Sequence, residues 1–163
     1  MLFAYFFLYL EKIFTRVETW ALPALLKATL WGIVLSVLTL VTDYALFSGE
    51  FHIVPFSKTA LSYSPLFLLL IALIKTISTH VGFAMGWRGG KIFPAIFASV
   101  AVGAAIAQFI PIQPAITVSL AVATSITIIL EKPLLTAILL IFLLPISLAP
   151  LIFITAYIVM VIH

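Results

Sequence analysis

The sequence predicts an all-α integral membrane protein, on the evidence of its composition and of the spacing of its helix breakers. Hydrophobic residues make up 65% of the 163 residues, whereas charged residues make up 8%. Soluble domains are about a quarter charged, so this balance favours a chain that lies in lipid. Nine prolines and seven glycines divide the apolar sequence into segments. Several segments are shorter than the roughly 20 residues that a membrane-spanning helix needs. We therefore expect seven to nine helices of unequal length and no strands.

The first half of the chain contains the two segments most typical of full membrane spans. Residues 24–47 and 65–80 are long and apolar, and a polar connector with room for one short helix separates them. Residues 2–16 form an apolar helix that is short for a span. Its apolar start carries no basic region and no cleavage site, which predicts a retained helix. Trp20 and Pro23 predict a turn at the membrane interface, where tryptophan is favoured.

The second half of the chain is divided into short helices. We expect them at residues 92–110, 115–130, 134–144 and 151–163, with breaks at Pro111, Pro133 and Pro145. Broken and partial helices are typical of transporter folds that bury irregular backbone around a site. The last two segments are apolar throughout, so we expect them to pack against a partner chain or a missing half.

Composition also excludes several classes of function. The chain has no cysteine, so disulfide and thiol chemistry are excluded. Its net charge of +3 arises from cations scattered among apolar segments, which indicates flanks of membrane spans and no nucleic-acid partner. Neither a hydrolytic triad, nor a phosphate-binding P-loop, nor a metal cluster is present in the sequence. We therefore expect no enzyme activity, no catalytic residue, no cofactor and no metal site.

The least ordinary stretch is the glycine-rich loop at residues 85–94. Four of the seven glycines lie between Gly82 and Gly90, and two cations, Arg88 and Lys91, flank the Gly-Gly pair. Pro94 favours the first turn of a following helix. Such a loop presents unpaired N–H groups at the positive end of a helix dipole, which is an arrangement that binds anions. The alternative is a tight turn between helices with a lipid-facing lysine.

This stretch resembles the Gly-Gly-x-x-x-Pro signature of the CLC family of chloride channels and transporters. The matching residues are Gly89, Gly90, Lys91, Ile92, Phe93 and Pro94. Residues 49–55 and 131–137 are similar to two further segments of that family. The resemblance implies a CLC-type bundle of unequal, tilted and partial transmembrane helices. In it, residues 1–163 form a single transmembrane domain corresponding to the second half of a CLC protein.

The resemblance also implies a function and a site. The chain would be the C-terminal half of a chloride channel or transporter, multi-pass in the cell membrane. The backbone amides of Lys91 and Ile92 would face the anion, Gly89 and Gly90 would permit the turn, and Pro94 would start the helix. Its partners would be chloride or another small anion, the lipid bilayer, and a second copy or a partner half-chain.

Two departures from the family pattern leave alternatives open. Most chloride-type members carry an apolar residue at the position of Lys91, and fluoride exporters carry a glutamate there. The lysine could add positive potential beside the amides or extend away from the path. The gating motif Gly-x-Glu-Gly-Pro and the second anion motif Gly-Ser-Gly-x-Pro, both of the first half, do not occur here. A transport-inactive fragment, a fluoride-exporting variant and a packing subunit of an unrelated complex are therefore alternatives.

Two ionisable residues fall within a predicted span, where an ionisable group must face protein or water. Lys75 and His80 are either part of a pathway, paired with a charge such as Asp43 or Glu131, or a snorkelling lysine and a capping histidine. Arg88 is expected to fix the glycine-rich loop to a neighbouring carbonyl or carboxylate. Residues 131–132 are expected to form an exposed turn.

Overall fold

The computed structural model describes residues 1–19, 22–46 and 48–163. This part of the chain forms eight α-helices and no strand, which confirms the predicted number and type of elements. The helices are α1 (Leu2–Glu18), α2 (Ala24–Thr39), α3 (Ile53–Thr59), α4 (Pro65–Ala84), α5 (Ile92–Ala107), α6 (Pro114–Leu130), α7 (Pro133–Ile141) and α8 (Ala149–Ile162). Four single 3-10 turns cover residues 43–45, 50–52, 60–62 and 146–148. The predicted interfacial turn at Trp20 lies outside the described residues.

Prolines set the first turn of several helices. Pro65 lies in the first turn of α4, Pro114 in that of α6 and Pro133 in that of α7. At this position the missing N–H removes no intrahelical bond. The hydroxyl of Ser64 also accepts a hydrogen bond from the amide of Phe67, at 3.3 Å, and so caps α4. These local signals explain why the predicted starts lie close to the observed ones.

The second helix ends earlier than predicted. The apolar run predicted a span over residues 24–47, but α2 ends at Thr39. Thr42 is extended, with φ −162°, and its hydroxyl accepts from the amide of Tyr44 to start a 3-10 turn. This local bond competes with the helix. At 1.5 Å per residue, α2 is about 24 Å long, which is less than a hydrocarbon core of about 30 Å.

Among the described residues, α4 is the one helix long and apolar enough to cross a bilayer by itself. The segments of α2, α5, α6 and residues 146–162 are apolar but shorter. The prediction of unequal and partial helices is confirmed, whereas two full-length spans in the first half are not found. Composition, which predicted both spans, does not report where a helix is interrupted.

The centre of the fold is α5, which packs between α4 and α6. Its residues from Pro94 to Ala101 are all buried. The closest approach to α6 is at Gly103, where a Cβ would lie 2.9 Å from the Cα of Val118. A small residue there lets the two backbones come together, as is common between membrane helices. The start of α5 is thereby held at a defined place beside α1 and α4.

The other helices surround this centre. Both α4 and α6 are covered on one side by α1, α7 and α8 pair with each other, and α8 also packs on α6. No residue of α2 is buried, so that helix lies at the periphery. Large apolar side chains are exposed on α7 and α8, among them Leu134, Tyr157 and Val161, and Phe142 at the C-cap of α7 is exposed too.

Candidate functional site

The turn between α4 and α5 is made by Gly86. Its φ is +93°, a left-handed value that favours glycine. The amide of Trp87 donates to the carbonyl of Gly82 at 2.9 Å, and the amide of Gly86 donates to the carbonyl of Phe83 at 2.9 Å. This pair of bonds is a Schellman ending, which closes the free carbonyls of α4. The ring of Trp87 then stacks on Phe83 with centroids 5.5 Å apart.

This finding corrects the expectation that Gly89 and Gly90 permit the turn. Gly86 and Gly49 are the glycines with positive φ in the described chain, so neither Gly89 nor Gly90 uses a conformation restricted to glycine. A Cβ on Gly90 would meet nothing within 4 Å, whereas one on Gly89 would lie 3.3 Å from the Trp87 ring. The space over Gly90 is therefore open, and its backbone is accessible from outside the chain.

The start of α5 presents three backbone amides without acceptors. Lys91 is the N-cap, and the first helical bond runs from the amide of Ala95 to the Lys91 carbonyl, at 3.1 Å. Within the described chain, no carbonyl or side chain accepts from the amides of Lys91, Ile92 or Phe93. The next residue, Pro94, has no backbone N–H group and so needs no acceptor. These N–H groups lie at the positive end of a 16-residue helix.

The segment lies at the surface of this chain, and its expected position facing the interior of the protein stays a prediction. Gly89 and Gly90 are exposed, while Lys91, Ile92 and Phe93 are half-buried. An anion bound here would contact this chain on one side and whatever lies opposite on the other.

Lys91 is bound to a carboxylate on α1. Its Nζ lies 2.7 Å from Oε1 and 3.0 Å from Oε2 of Glu11, 80 positions earlier in the chain. Both side chains are 34% exposed. The charge of Lys91 is therefore balanced by a neighbour. Sequence reasoning missed Glu11 as a partner, because the C-terminal half of α1 carries charges of both signs, Lys12 and Arg16 among them.

Lys75 is a structural residue of the core. Its side chain is fully buried, so the snorkelling interpretation is wrong. The ammonium donates to the carbonyls of Tyr44 at 2.9 Å and Leu46 at 2.8 Å, and lies 5.5 Å from the centroid of the Phe97 ring. It thus attaches the connector after α2 to the α4–α5 pair. Asp43, which was considered as a partner charge, is exposed.

His80 is also buried, with 1% of its surface exposed. It lies inside α4, which continues to Ala84, so it does not cap the helix. Its Nδ1 is 2.7 Å from the carbonyl oxygen of Thr76. Its Nε2 has no hydrogen-bond partner within the described chain. Phe7 meets the imidazole edge-to-face at 4.5 Å.

Arg88, Glu131 and Lys132 are exposed. Arg88 makes no hydrogen bond or ion pair with the residues the structure describes, so its expected fixing contact is not formed there. It lines an open cavity of about 250 Å³ together with Glu18, Gly86 and Gly89. Glu131 ends α6 with φ +54° and is exposed, as is Lys132, which confirms an exposed turn.

Comparison with known proteins finds one family whose model matches nearly the whole chain. A family model described as "Voltage gated chloride channel" matches residues 1–162. The chain is also 46% identical over 67 residues to proteins named "Putative ion-transport protein YfeO" from Escherichia coli (strain K12 / DH10B), Escherichia coli O1:K1 / APEC and Shigella boydii serotype 18. That alignment covers 40% of this chain and 16% of each relative, so the chain matches a minor part of those proteins. No solved structure matches the chain.

Proposed function

Because the chain belongs to the voltage-gated chloride channel family, we propose that it is the C-terminal half of an anion channel or transporter. Family membership makes it a membrane protein of ion transport. We further propose that it lies multi-pass in the cell membrane and that its permeating ion is chloride or another small anion. Its own contribution is one wall of the ion's path, at the start of α5.

The observation that carries this proposal is the set of unpaired amides at Lys91, Ile92 and Phe93 beside the open space over Gly90. Three N–H groups that converge on the positive end of a helix attract an anion without any charged side chain. The helix dipole contributes about 0.3–2 kcal/mol, with the larger value where the site is partly buried. A free energy of this size gives weak binding. Weak binding suits transport, because a permeating ion must also leave the site.

The ion pair with Glu11 limits the role of Lys91 in anion binding. The Glu11 carboxylate is already bound to the ammonium, at 2.7 Å. An incoming anion must share that ammonium with a fixed negative charge or displace it. The backbone is therefore the main ligand, and Lys91 with Glu11 adjusts the local potential. In the fluoride-exporting members of the family, a glutamate stands at the position of Lys91. The residue at this position therefore varies with the transported anion, and fluoride should be tested beside chloride.

The rest of the path must come from outside residues 1–163. The exposed position of Gly89 and Gly90 supports this, because a permeating anion needs a second wall. The large apolar side chains exposed on α7 and α8 support an assembly with lipid and a second polypeptide. We propose a homodimer, or a complex with a half-chain that carries the Gly-x-Glu-Gly-Pro motif.

The test is efflux from liposomes loaded with chloride or fluoride. Vesicles would contain the chain alone, or the chain together with a half-chain bearing Gly-x-Glu-Gly-Pro. We expect efflux from the two-chain vesicles, measured with an ion-selective electrode. Gly90→Val should abolish it, because the branched side chain would occupy the open space over Gly90, where a Cβ meets nothing within 4 Å. Gly32→Val is the matched control, since nothing lies within 4 Å of a Cβ there either.

Two results would count against the proposal. Absence of efflux from both preparations would remove the transport function and favour an inactive fragment. Efflux from Gly90→Val equal to that of Gly32→Val would separate transport from the α5 start, and would leave the family assignment intact.

A further inference from the structure

The positive charge of the chain is concentrated at one end of the fold. The ammonium of Lys27 donates to the carbonyl of Glu18 at 3.0 Å, which joins the start of α2 to the end of α1. The ion pair of Lys91 joins the glycine-rich loop to the same part of α1. The charged side chains at this end are Glu11, Lys12, Arg16, Glu18, Lys27, Arg88 and Lys91. The cations and acids elsewhere in the sequence are equal in number, so the net charge of +3 belongs to this end.

Two tryptophans meet at this end over Gly82 of α4. A Cβ on Gly82 would lie 3.0 Å from the ring of Trp31 and 3.2 Å from the ring of Trp87. Both indoles are half-buried. Their N–H groups have no acceptor within the described chain and are not among its buried unpaired atoms, so they are accessible to an acceptor from outside. An apolar ring with an accessible donor is typical of tryptophan at a membrane interface.

An apolar cavity of about 210 Å³ lies beside these indoles, between α2, α4 and the 3-10 turn at residues 43–45. Trp31 and Leu35 contribute the α2 side of its lining, and both are half-buried. The hydroxyls of Ser78 and Thr79, also in the lining, already donate to a carbonyl within α4 at 3.0 and 2.8 Å. Since α2 is peripheral and has no buried residue, the cavity is accessible from the lipid side and accepts an apolar ligand.

The side of α2 that borders this cavity has an ordered chemistry. Lys27, Trp31 and Leu35 follow one another at spacings of four, which places them on one side of the helix. Four helical residues advance about 6 Å, so a cation, an indole and an aliphatic side chain follow in order over about 12 Å. A phospholipid has the same order of charged headgroup, ester region and acyl chain. Cations and tryptophan are enriched at the interface, and leucine is favoured in hydrocarbon.

A second cavity, the outer cavity, has a volume of about 250 Å³ and shares Trp87 with the apolar cavity. Arg88 lines it, is exposed, and makes no hydrogen bond or ion pair with the described residues. The planar fork of an arginine fits two oxygens of a phosphate. Glu18 lines the outer cavity too, and its carboxylate opposes an anion there. Lys27, bound to the Glu18 carbonyl through one of its three donors, adds positive potential at the edge.

We propose that this end of the fold binds one anionic phospholipid, with its phosphodiester at Arg88 and an acyl chain in the apolar cavity beside Trp31 and Leu35. The accessible indole N–H groups bond oxygens of the ester region. The excess of cations selects a headgroup of net negative charge, such as that of phosphatidylglycerol, over a zwitterionic one. The ligand is a lipid and not a permeating ion, so this site does not depend on the proposed transport function.

The test measures quenching of tryptophan fluorescence by lipids with brominated acyl chains. A Trp20→Phe background leaves Trp31 and Trp87 as the two tryptophans of the chain. The chain is reconstituted in phosphatidylcholine vesicles that contain brominated phosphatidylglycerol, phosphatidylethanolamine or phosphatidylcholine at equal fractions and constant ionic strength. We expect the association constant of phosphatidylglycerol to be at least threefold that of either zwitterionic lipid. A further series adds inorganic phosphate at constant ionic strength and should leave the quenching unchanged.

Variants then locate the two ends of the lipid. Arg88→Gln should remove the preference for phosphatidylglycerol, whereas Lys132→Gln, an exposed cation after α6, is the matched control and should keep it. Glu18→Gln should increase the preference, because it removes the opposing carboxylate. Leu35→Phe narrows the apolar cavity and should lower quenching by every brominated lipid. Val37→Phe, an exposed position of α2 outside that cavity, is its control.

Each remaining outcome counts against the proposal. Equal association constants for the three lipids, or a preference that survives Arg88→Gln, would overturn the headgroup site. A preference that falls in Glu18→Gln would show that the carboxylate holds a headgroup ammonium, and would replace the anionic lipid by a zwitterionic one. Loss of quenching on addition of phosphate would identify free phosphate as the occupant. Unchanged quenching in Leu35→Phe would refute the acyl-chain cavity.

Discussion

The ion pair between Glu11 and Lys91 makes a quantitative prediction about anion binding at α5. The wild-type pair is neutral, Glu11→Gln leaves one positive charge, and Lys91→Met leaves one negative charge. The double variant is neutral again. If the backbone amides are the main ligands, the double variant should bind anions almost as the wild type does, and the single variants should deviate in opposite directions.

The magnitude follows from the geometry. An anion at the α5 amides that approaches the Glu11 carboxylate to about 4 Å would interact with it by about 1 kcal/mol in water and about 4 kcal/mol near a protein surface. Glu11 and Lys91 are each 34% exposed, which favours the lower value. We therefore expect a change of about 1–1.4 kcal/mol, or roughly five- to tenfold in Kd. Glu11→Gln should lower Kd for chloride by that factor, and Lys91→Met should raise it.

The assay is isothermal titration of chloride and fluoride into detergent-solubilised protein, with gluconate to hold the ionic strength constant. Both single-variant effects should shrink at high ionic strength, because partly exposed charges are screened. Loss of binding in the double variant would refute the backbone mechanism and make Lys91 the ligand. An unchanged affinity in Glu11→Gln would show that this carboxylate does not reach the anion.

Three further predictions concern stability, measured as thermal unfolding in detergent, where 1 kcal/mol shifts the midpoint by about 2–4 °C for a chain of this size. Gly103→Ala should cost about 1–3 kcal/mol, because its Cβ would lie 2.9 Å from α6 backbone; Gly32→Ala, with open surroundings, should instead raise the midpoint. Lys75→Met should cost about 1–3 kcal/mol by leaving two carbonyls without their donor, and an unchanged midpoint would show that this contact does not hold the connector. Gly86→Ala should cost about 1 kcal/mol through its positive φ, and equal midpoints for variant and wild type would contradict the Schellman ending as the source of the turn.

The sequence determined those features that depend on neighbours in the chain. Prolines at 65, 114 and 133 predict helix starts because the effect of a proline ring reaches one turn. The composition predicts a membrane protein because it sums over all residues, and family membership agrees. The end of α2 was predicted wrongly, since hydropathy does not register the bond between Thr42 and the amide of Tyr44.

The tertiary structure alone decided the features that join distant positions. Whether Lys91 is a free cation or half of an ion pair depends on Glu11, 80 positions away, and on how α1 packs beside α5. From the sequence alone, Lys75 could equally extend outward. The fold places the carbonyls of Tyr44 and Leu46 within hydrogen-bond distance of its ammonium. His80 pairs one ring nitrogen with the carbonyl of Thr76, and its burial is decided by Phe7 of α1, which packs on the imidazole. In each case the residue type states which bonds are possible, and only the packing of helices determines which partner comes within reach.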